Sequence, residues 1–301
     1  MKLAVLGPGG VGGLLAGVLD RAGTEVVVIA REQTAASIAE NGVRVQSVTF
    51  GDFVAHPPAL ARLQEPVDVL IVATKAAGLA TALERVAAAP RLVLPLLNGL
   101  DHLELLRERF APESVLAGSI RVEADRPAPG VVVHTSPFLL VSMAGGEHER
   151  ALVDELAQLL TDAEVPVRLG ESEAQVMWSK LVRLNALACT TSAYDKLLGE
   201  IRSTPQLRAD LVGAIEEACA VGRAEGAEAI EPGKALGELE RAHATLGSSM
   251  QRDIAAGREP ELDAIPGSVL RAAARHGLAC PTIERLVAMI AARAGVPLPA
   301  R

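Results

Sequence analysis

Five polar side chains with distinctive neighbours are the places where this chain could do chemistry. Lys180 lies in Val176-Met177-Trp178-Ser179-Lys180-Leu181-Val182-Arg183-Leu184, and at helical spacing its neighbours are Val176 and Leu184. A lysine bordering an apolar stripe usually extends its ammonium to water. Turned into a cleft instead, partial desolvation lowers its pKa and makes it a usable proton donor. Lys75 and Asn98 each follow an apolar run, where a polar side chain either turns the chain or faces a ligand. Ser249 lies in Gly247-Ser248-Ser249-Met250-Gln251-Arg252-Asp253, and Glu261 in Arg258-Glu259-Pro260-Glu261-Leu262-Asp263. Either serine serves equally well as a polar residue within a helix, and Glu261 or Asp263 as a helix cap. Reduction of a ketone by hydride requires a proton donor beside the carbonyl oxygen, and often a cation for a neighbouring carboxylate.

Such chemistry needs a hydride source, and the first thirty residues have the form of a site for one. Lys2-Leu3-Ala4-Val5-Leu6 reads as a buried strand, followed by Gly7-Pro8-Gly9-Gly10-Val11-Gly12-Gly13, which contains G-x-G-x-x-G at Gly7, Gly9 and Gly12. Val11, Leu14, Leu15, Val18 and Leu19 then recur at helical spacing up to Gly23, and Glu25 to Ala30 forms a second strand. Strand, glycine turn, helix and strand within about 30 residues is the dinucleotide-binding unit. Its turn is too tight for a Cβ, and its helix N-terminus faces the pyrophosphate. Pro8, Gly10 and Val11 complete that loop. At the end of the second strand an NAD site usually carries Asp or Glu for the ribose hydroxyls, whereas this chain has Arg31. A guanidinium matches a 2′-phosphate bidentately, so Arg31 points to NADP(H). The alternative is a surface Arg31 with Glu32 on the ribose.

Composition narrows the classes. At 301 residues the chain suits one large domain or two smaller ones. Half of it is hydrophobic and only 2% aromatic, which excludes disorder and argues against stacking platforms for single-stranded nucleic acid. A net charge of −8 argues against a polyanion-binding surface, so no nucleic-acid partner is expected. Cys189, Cys219 and Cys280 form no paired pattern, and reduced thiols in a cytoplasmic protein are the expectation. The histidines show no ligand spacing, so no metal is expected. No run reaches the roughly 18 apolar residues of a membrane span, and no secretory signal is visible. A homodimer is the expectation from base rates alone.

The remaining elements follow in order. Thr34 to Asn41 reads as a helix, Val43 to Val48 as an edge strand turned back at Gly51-Asp52, and Val67 to Ala73 as a central strand ending at Thr74-Lys75. Residues 76–89 read as a helix and Leu92 to Leu97 as a strand ending at Asn98-Gly99. Val131 to His134 and Phe138 to Val141 read as antiparallel strands extending the sheet, with His134 a strand residue rather than a base. A helix over 149–163 and a strand over 165–169 complete an α/β domain with a doubly wound, mainly parallel sheet of Rossmann type. Beyond about Gly170 all is helical: 173–193, 205–226, 236–256, 265–276 and 281–294. The chain is therefore expected to divide into a Rossmann domain over 1–170 and an all-helical domain over 171–301 for substrate and dimerisation, with a small-ligand cleft between them.

Taken together, the chain resembles the ketopantoate reductase family. The resemblance rests on the glycine loop with Arg31, Lys75, Asn98-Gly99 and Met177-Trp178-Ser179-Lys180-Leu181, which is similar to the family's W-x-K-L helix. It rests equally on Ser248-Ser249-Met250-Gln251-Arg252-Asp253 and Glu261-Leu262-Asp263-Ala264-Ile265-Pro266-Gly267, which resemble its S-S-M-x-x-D and E-x-D-x-x-x-G segments. The resemblance implies NADPH-dependent reduction of 2-dehydropantoate to pantoate, on the route to pantothenate and coenzyme A. It implies that Lys180 is the general acid, that Asn98 positions substrate and nicotinamide, and that Glu261 holds the substrate hydroxyl or the lysine network. It implies Ser249 near the substrate carboxylate and Lys75 on the cofactor. The chain departs from the family after the lysine. Leu184 and Ala188 stand where two substrate-binding asparagines are usual, and Asn185, the remaining substrate-binding candidate, comes one residue late. A one-residue slip turns a helical side chain by about 100°. The substrate is therefore 2-dehydropantoate or a related 2-oxo acid. Rival readings are a 3-hydroxy acid or opine-type dehydrogenase, and a non-catalytic NADP(H)-sensing module.

Overall fold

The computed structural model describes residues 1–300. The chain divides into two compact units, residues 1–97 with 102–176, and residues 98–101 with those from 177 onward. With strands numbered in chain order, β1 (Lys2–Leu6), β2 (Glu25–Ile29), β5 (Ala59–Leu60), β6 (Val69–Val72) and β7 (Leu92–Pro95) form a parallel sheet in the order β5-β2-β1-β6-β7. Alternation along β1 shows why helices cover both faces. Leu3 and Val5 join Leu14, Leu15, Val18 and Leu19 of α1 (Gly10–Arg21) in one core. Ala4 and Leu6 join Leu79 and Leu83 of α3 (Leu79–Leu83), and Leu106 of α4 (His102–Arg109), in the other. Each fully buried leucine is worth about 1.5–3 kcal/mol. The order and the two covered faces make this a doubly wound Rossmann-type sheet. α2 (Glu32–Asn41) follows β2 and starts two residues earlier than periodicity indicated.

The rest of the first unit forms two smaller sheets. β3 (Val43–Ser47) and β4 (Phe53–Ala55) pair with β9 (Ala124–Ala128) and β10 (Val131–His134) in the order β4-β3-β10-β9. β8 (Ala117–Arg121), β11 (Leu140–Ala144) and β12 (Val167–Leu169) form the third sheet, with α5 (Arg150–Asp162) before β12. The expectation that these strands extend the main sheet is thus corrected. An isolated bridge to the main sheet, Val93 to Val115, lies just before β8 and outside these strands. β3 likewise lies inside its sheet rather than at an edge, between antiparallel β4 and parallel β10. The helix expected over 76–89 is also shorter. It consists of a 3-10 turn over Ala76–Gly78 and α3, after which Leu63 bonds the backbone of Arg85 and Ala87 and pulls the chain out of helix.

The second unit is helical: most of α6 (Glu173–Tyr194), then α7 (Leu198–Ser203), α8 (Pro205–Ala224), α9 (Pro232–Arg241), α10 (Ser249–Ala255), α11 (Ser268–Arg275) and α12 (Pro281–Ala294). The single helix expected over 236–256 is two. The Arg202 guanidinium bonds the carbonyls of Leu239, Glu240 and Ala242 and so ends α9. The Ser248 hydroxyl then accepts from the Gln251 N–H at 3.0 Å and starts α10. Between Asp263 and Gly267 one turn is a π-helix. Pro266 has no N–H, so the Leu262 carbonyl is satisfied by Gly267, five residues on, at 3.1 Å. Among the described residues no helix is long and apolar enough to cross a membrane.

Candidate active site

In the first unit, β1 hands over to α1 through a turn built on close backbone approaches. Gly7 has φ of +90°, and its N–H bonds the Ile29 carbonyl at 3.0 Å. A Cβ on Gly12 would overlap the Gly7 carbonyl, and one on Gly10 the carbonyl of Ala124. Gly9 differs. Its nearest neighbour would be the Ala73 oxygen at 3.9 Å, so the space over it is open. Gly9 is also the N-cap of α1 and offers no side-chain cap, so the first N–H groups of the helix, those of Gly10, Val11 and Gly12, face that opening. Pro8 in the same turn is buried. Thr74, which sequence reasoning passed over as a strand end, lies against Gly7, and its Oγ1 is buried with no hydrogen-bond partner. Open backbone donors at a helix start and an unsatisfied hydroxyl fit the pyrophosphate of a nicotinamide dinucleotide.

The two ribose candidates separate. Glu32 is held by Arg85 at 2.9 and 3.3 Å, and that hydrogen bond keeps its carboxyl below the usual range. Arg31 is the exposed N-cap of α2, and its side chain makes no hydrogen bond or ion pair within the unit. Lys75 is exposed at the start of the 3-10 turn that follows β6.

In the second unit, three residues from distant parts of the chain meet. Lys180 Nζ donates to Asn98 Oδ1 at 2.8 Å, and Asn98 Nδ2 donates to Glu261 Oε2 at 2.9 Å. All three are half-buried. The partners orient the amide: its oxygen must face the ammonium and its nitrogen the carboxylate. Gly99, with φ of +85°, lets the backbone after Asn98 press against Ala264, where a Cβ would overlap the Ala264 carbonyl. An ammonium held by a neutral acceptor, with a carboxylate one residue behind, can give up a proton and still be re-oriented after doing so.

The other candidates lie apart from this chain of hydrogen bonds. Ser249 is the exposed first residue of α10, while Ser248 is buried, accepting from Thr191 Oγ1 at 2.8 Å as well as from Gln251. Neither is a mid-helix residue. Asn185 is fully buried and about 140° around α6 from Lys180. Its Oδ1 accepts from the Cys189 thiol at 3.5 Å, and its Nδ2 has no partner. The structure does not bring Asn185 to Lys180. Leu184, one turn on, is half-buried on the lysine's side of the helix, and Ala188 is buried beyond it. His134 is a buried strand residue, bonded to Ser47 and Ser136. Among the described residues no group of three or more His, Cys, Asp or Glu is arranged to hold a metal ion.

Comparison with known proteins finds matches in both the N-terminal and the C-terminal part of the chain. The family model described as ketopantoate reductase PanE/ApbA matches residues 3–143, and its C-terminal counterpart matches residues 174–294. An uncharacterized oxidoreductase, YkpB, from Bacillus subtilis is 31% identical over 96% of this chain and 97% of its own. A 2-dehydropantoate 2-reductase from Mycobacterium tuberculosis is 30% identical over 98% of each chain. The solved structure of D-mandelate dehydrogenase with NADH and anilino(oxo)acetate superposes with a TM-score of 0.88 over 98% of this chain and 99% of that one, at 21% identity, which is a likeness of fold.

Proposed function

The chain belongs to the ketopantoate reductase family and is an oxidoreductase that uses a nicotinamide cofactor, and we propose that it reduces 2-dehydropantoate to pantoate with NADPH. The observation that carries this reading is the hydrogen-bonded run from Lys180 through Asn98 to Glu261. When bound, the dinucleotide supplies a hydride to the carbonyl carbon of the 2-oxo acid. Gly7 to Gly12 hold its pyrophosphate, and Arg31 holds the 2′-phosphate because Glu32 is engaged with Arg85. Lys75 contacts the nucleotide, and Asn98 takes part in placing the nicotinamide. The Lys180 ammonium donates its proton to the carbonyl oxygen as the alcohol forms. Asn98 keeps that ammonium aimed, and Glu261 fixes the amide. Glu261 also accepts from the substrate hydroxyl, and Ser249, exposed at the start of α10, donates to the substrate carboxylate. The enzyme works in the cytoplasm, where its three buried cysteines stay reduced.

One observation favours a second substrate. Leu184 stands half-buried one turn from Lys180, where an asparagine would hydrogen-bond a hydroxylated substrate. An apolar wall favours a 2-oxo acid with an aliphatic side chain, such as 2-oxoisovalerate. The test is NADPH oxidation with 2-dehydropantoate beside 2-oxoisovalerate, pyruvate and oxaloacetate, with NADH as control. Selective turnover of 2-dehydropantoate bears out the first reading, and preference for 2-oxoisovalerate the second. Tight NADPH binding without turnover on any of them would sink both in favour of a sensor.

A further inference from the structure

Arg271 on α11 forms no hydrogen bond or ion pair with Asn98 or Glu261, yet its guanidinium ties together the two segments that carry them. Nη2 donates to Asp101 Oδ2 at 2.6 Å and to the Asp263 carbonyl at 3.0 Å, while Nη1 donates to Asp263 Oδ1 at 2.8 Å and to the Ala300 carbonyl at 2.8 Å. Asp101 lies three residues after Asn98, and Asp263 two residues after Glu261. Between the two tie points Gly99 is pressed on Ala264. The loop and the π-turn are therefore joined on both sides of a close backbone contact, by Asn98 to Glu261 on one side and by Asp101, Arg271 and Asp263 on the other. Gly267 makes room for the pairing. A Cβ there would lie 3.2 Å from Asp263 Oδ1, 3.3 Å from Arg271 Nη1 and 2.9 Å from Pro299 Cβ. The arginine side chain is only 20% exposed, so its two ion pairs are partly shielded from water. The guanidinium serves two carboxylates and two carbonyls at once, four acceptors that the three N–H groups of an ammonium cannot satisfy together.

We propose that Arg271 is a positioning residue: by holding Asp101 and Asp263 together it registers Asn98 against Glu261, and so keeps the Asn98 carbonyl aimed at the Lys180 ammonium. The inference rests on Lys180 being the proton donor. Loss of the tie lets the Asn98 loop drift, which misplaces the proton donor and removes the acceptor that favours the charged lysine.

Asp101→Asn and Arg271→Lys test this. Asp101 is exposed enough for the neutral isostere to fold, and Arg271→Lys keeps the charge while losing the fork. Steady-state turnover over a pH series, with thermal melts alongside, should show kcat falling by about 10- to 100-fold in each variant. The alkaline limb of the kcat profile should move to lower pH, with KM for NADPH and the melting temperature near wild type. A purely structural ion pair would lower the melting temperature and leave the limb in place, and that result overturns the proposal. So does wild-type kcat with an unmoved limb in both variants. Lys180→Ala in the same assay separates the two layers. If it keeps wild-type turnover, the site reading fails and this inference with it. If it is inactive while Asp101→Asn is unaffected, only the inference fails.

Discussion

Asn98 and Glu261, 163 residues apart in the chain, are joined by one hydrogen bond of 2.9 Å, and that bond decides which end of the Asn98 amide faces Lys180. With the nitrogen spent on the carboxylate, only the oxygen is left for the ammonium, at 2.8 Å. The asparagine thus acts as a neutral spacer between two opposite charges.

Replacing that spacer by a charge has a definite sign. In Asn98→Asp the new carboxylate attracts Lys180 and repels Glu261. The ammonium is held more tightly, so the alkaline limb of kcat moves to higher pH while kcat itself falls. A limb that stays in place would mean Lys180 is not the group titrating.

Removing the donor itself should be severe. Lys180→Ala is expected to lower kcat by about 10²- to 10⁴-fold, the usual contribution of a positioned acid. NADPH affinity, measured by fluorescence titration, should be unchanged, because Lys180 is not among the residues proposed to hold the nucleotide. Retention of full activity would remove Lys180 from the mechanism.

Cofactor choice is expected to rest on Arg31. Among the described residues its guanidinium makes no hydrogen bond or ion pair, so Arg31→Ala should remove one charge-assisted interaction with the proposed 2′-phosphate and nothing else. That is about 1.5–3 kcal/mol, or roughly 10- to 100-fold in KM for NADPH. KM for NADH should not change. An equal effect on both nucleotides would refute the 2′-phosphate assignment.

The glycine loop predicts a packing effect of its own. Gly10→Ala forces a methyl into the Ala124 carbonyl, and such overpacking costs about 1–3 kcal/mol. Thermal melts should show the loss without ligand, and nucleotide binding should weaken as well. Gly9→Ala, with open space above it, should melt like wild type yet bind nucleotide poorly, since the methyl occupies the space a pyrophosphate needs.

Acid stability is expected to depend on His134. Ser47 Oγ accepts from the Thr49 and Phe50 N–H groups, so it donates to His134 Nδ1 at 2.8 Å. Ser136 Oγ donates to the Phe138 carbonyl, so it accepts from Nε2 at 3.2 Å. The buried ring is thus satisfied only when neutral, and burial holds its pKa below the usual 6.5. The unfolded chain takes up this proton first as pH falls. The contribution is therefore complete above about pH 6.5 and is lost progressively below it. Melting temperatures of His134→Gln against wild type, from pH 7.5 downward, should converge toward the acid end; parallel curves would refute the assignment.

By itself the sequence determined everything that depends on short-range pattern. Apolar runs broken by glycines specify β1, the turn and α1, because a strand, a turn without Cβ atoms and an amphipathic helix each have a local period or a local steric demand. The same holds for the change to all-helical grammar near Gly170, and for Lys75 and Asn98 as residues at strand ends. Boundaries were less legible where distant side chains intervene. Arg202 ends α9, and Leu63 unwinds the chain after α3, and no periodicity announces either. The pairing of β3 with β10 is of the same kind, since strand partners are chosen by the packed core. Only the tertiary structure brought Lys180, Asn98 and Glu261 into one run of hydrogen bonds. Only the tertiary structure divided the serine pair into a buried cap and an exposed hydroxyl, and gave Arg271 two aspartates to hold. A hydrogen bond is decided within a few tenths of an ångström, and that precision comes from packing the whole unit rather than from the spacing of letters along it.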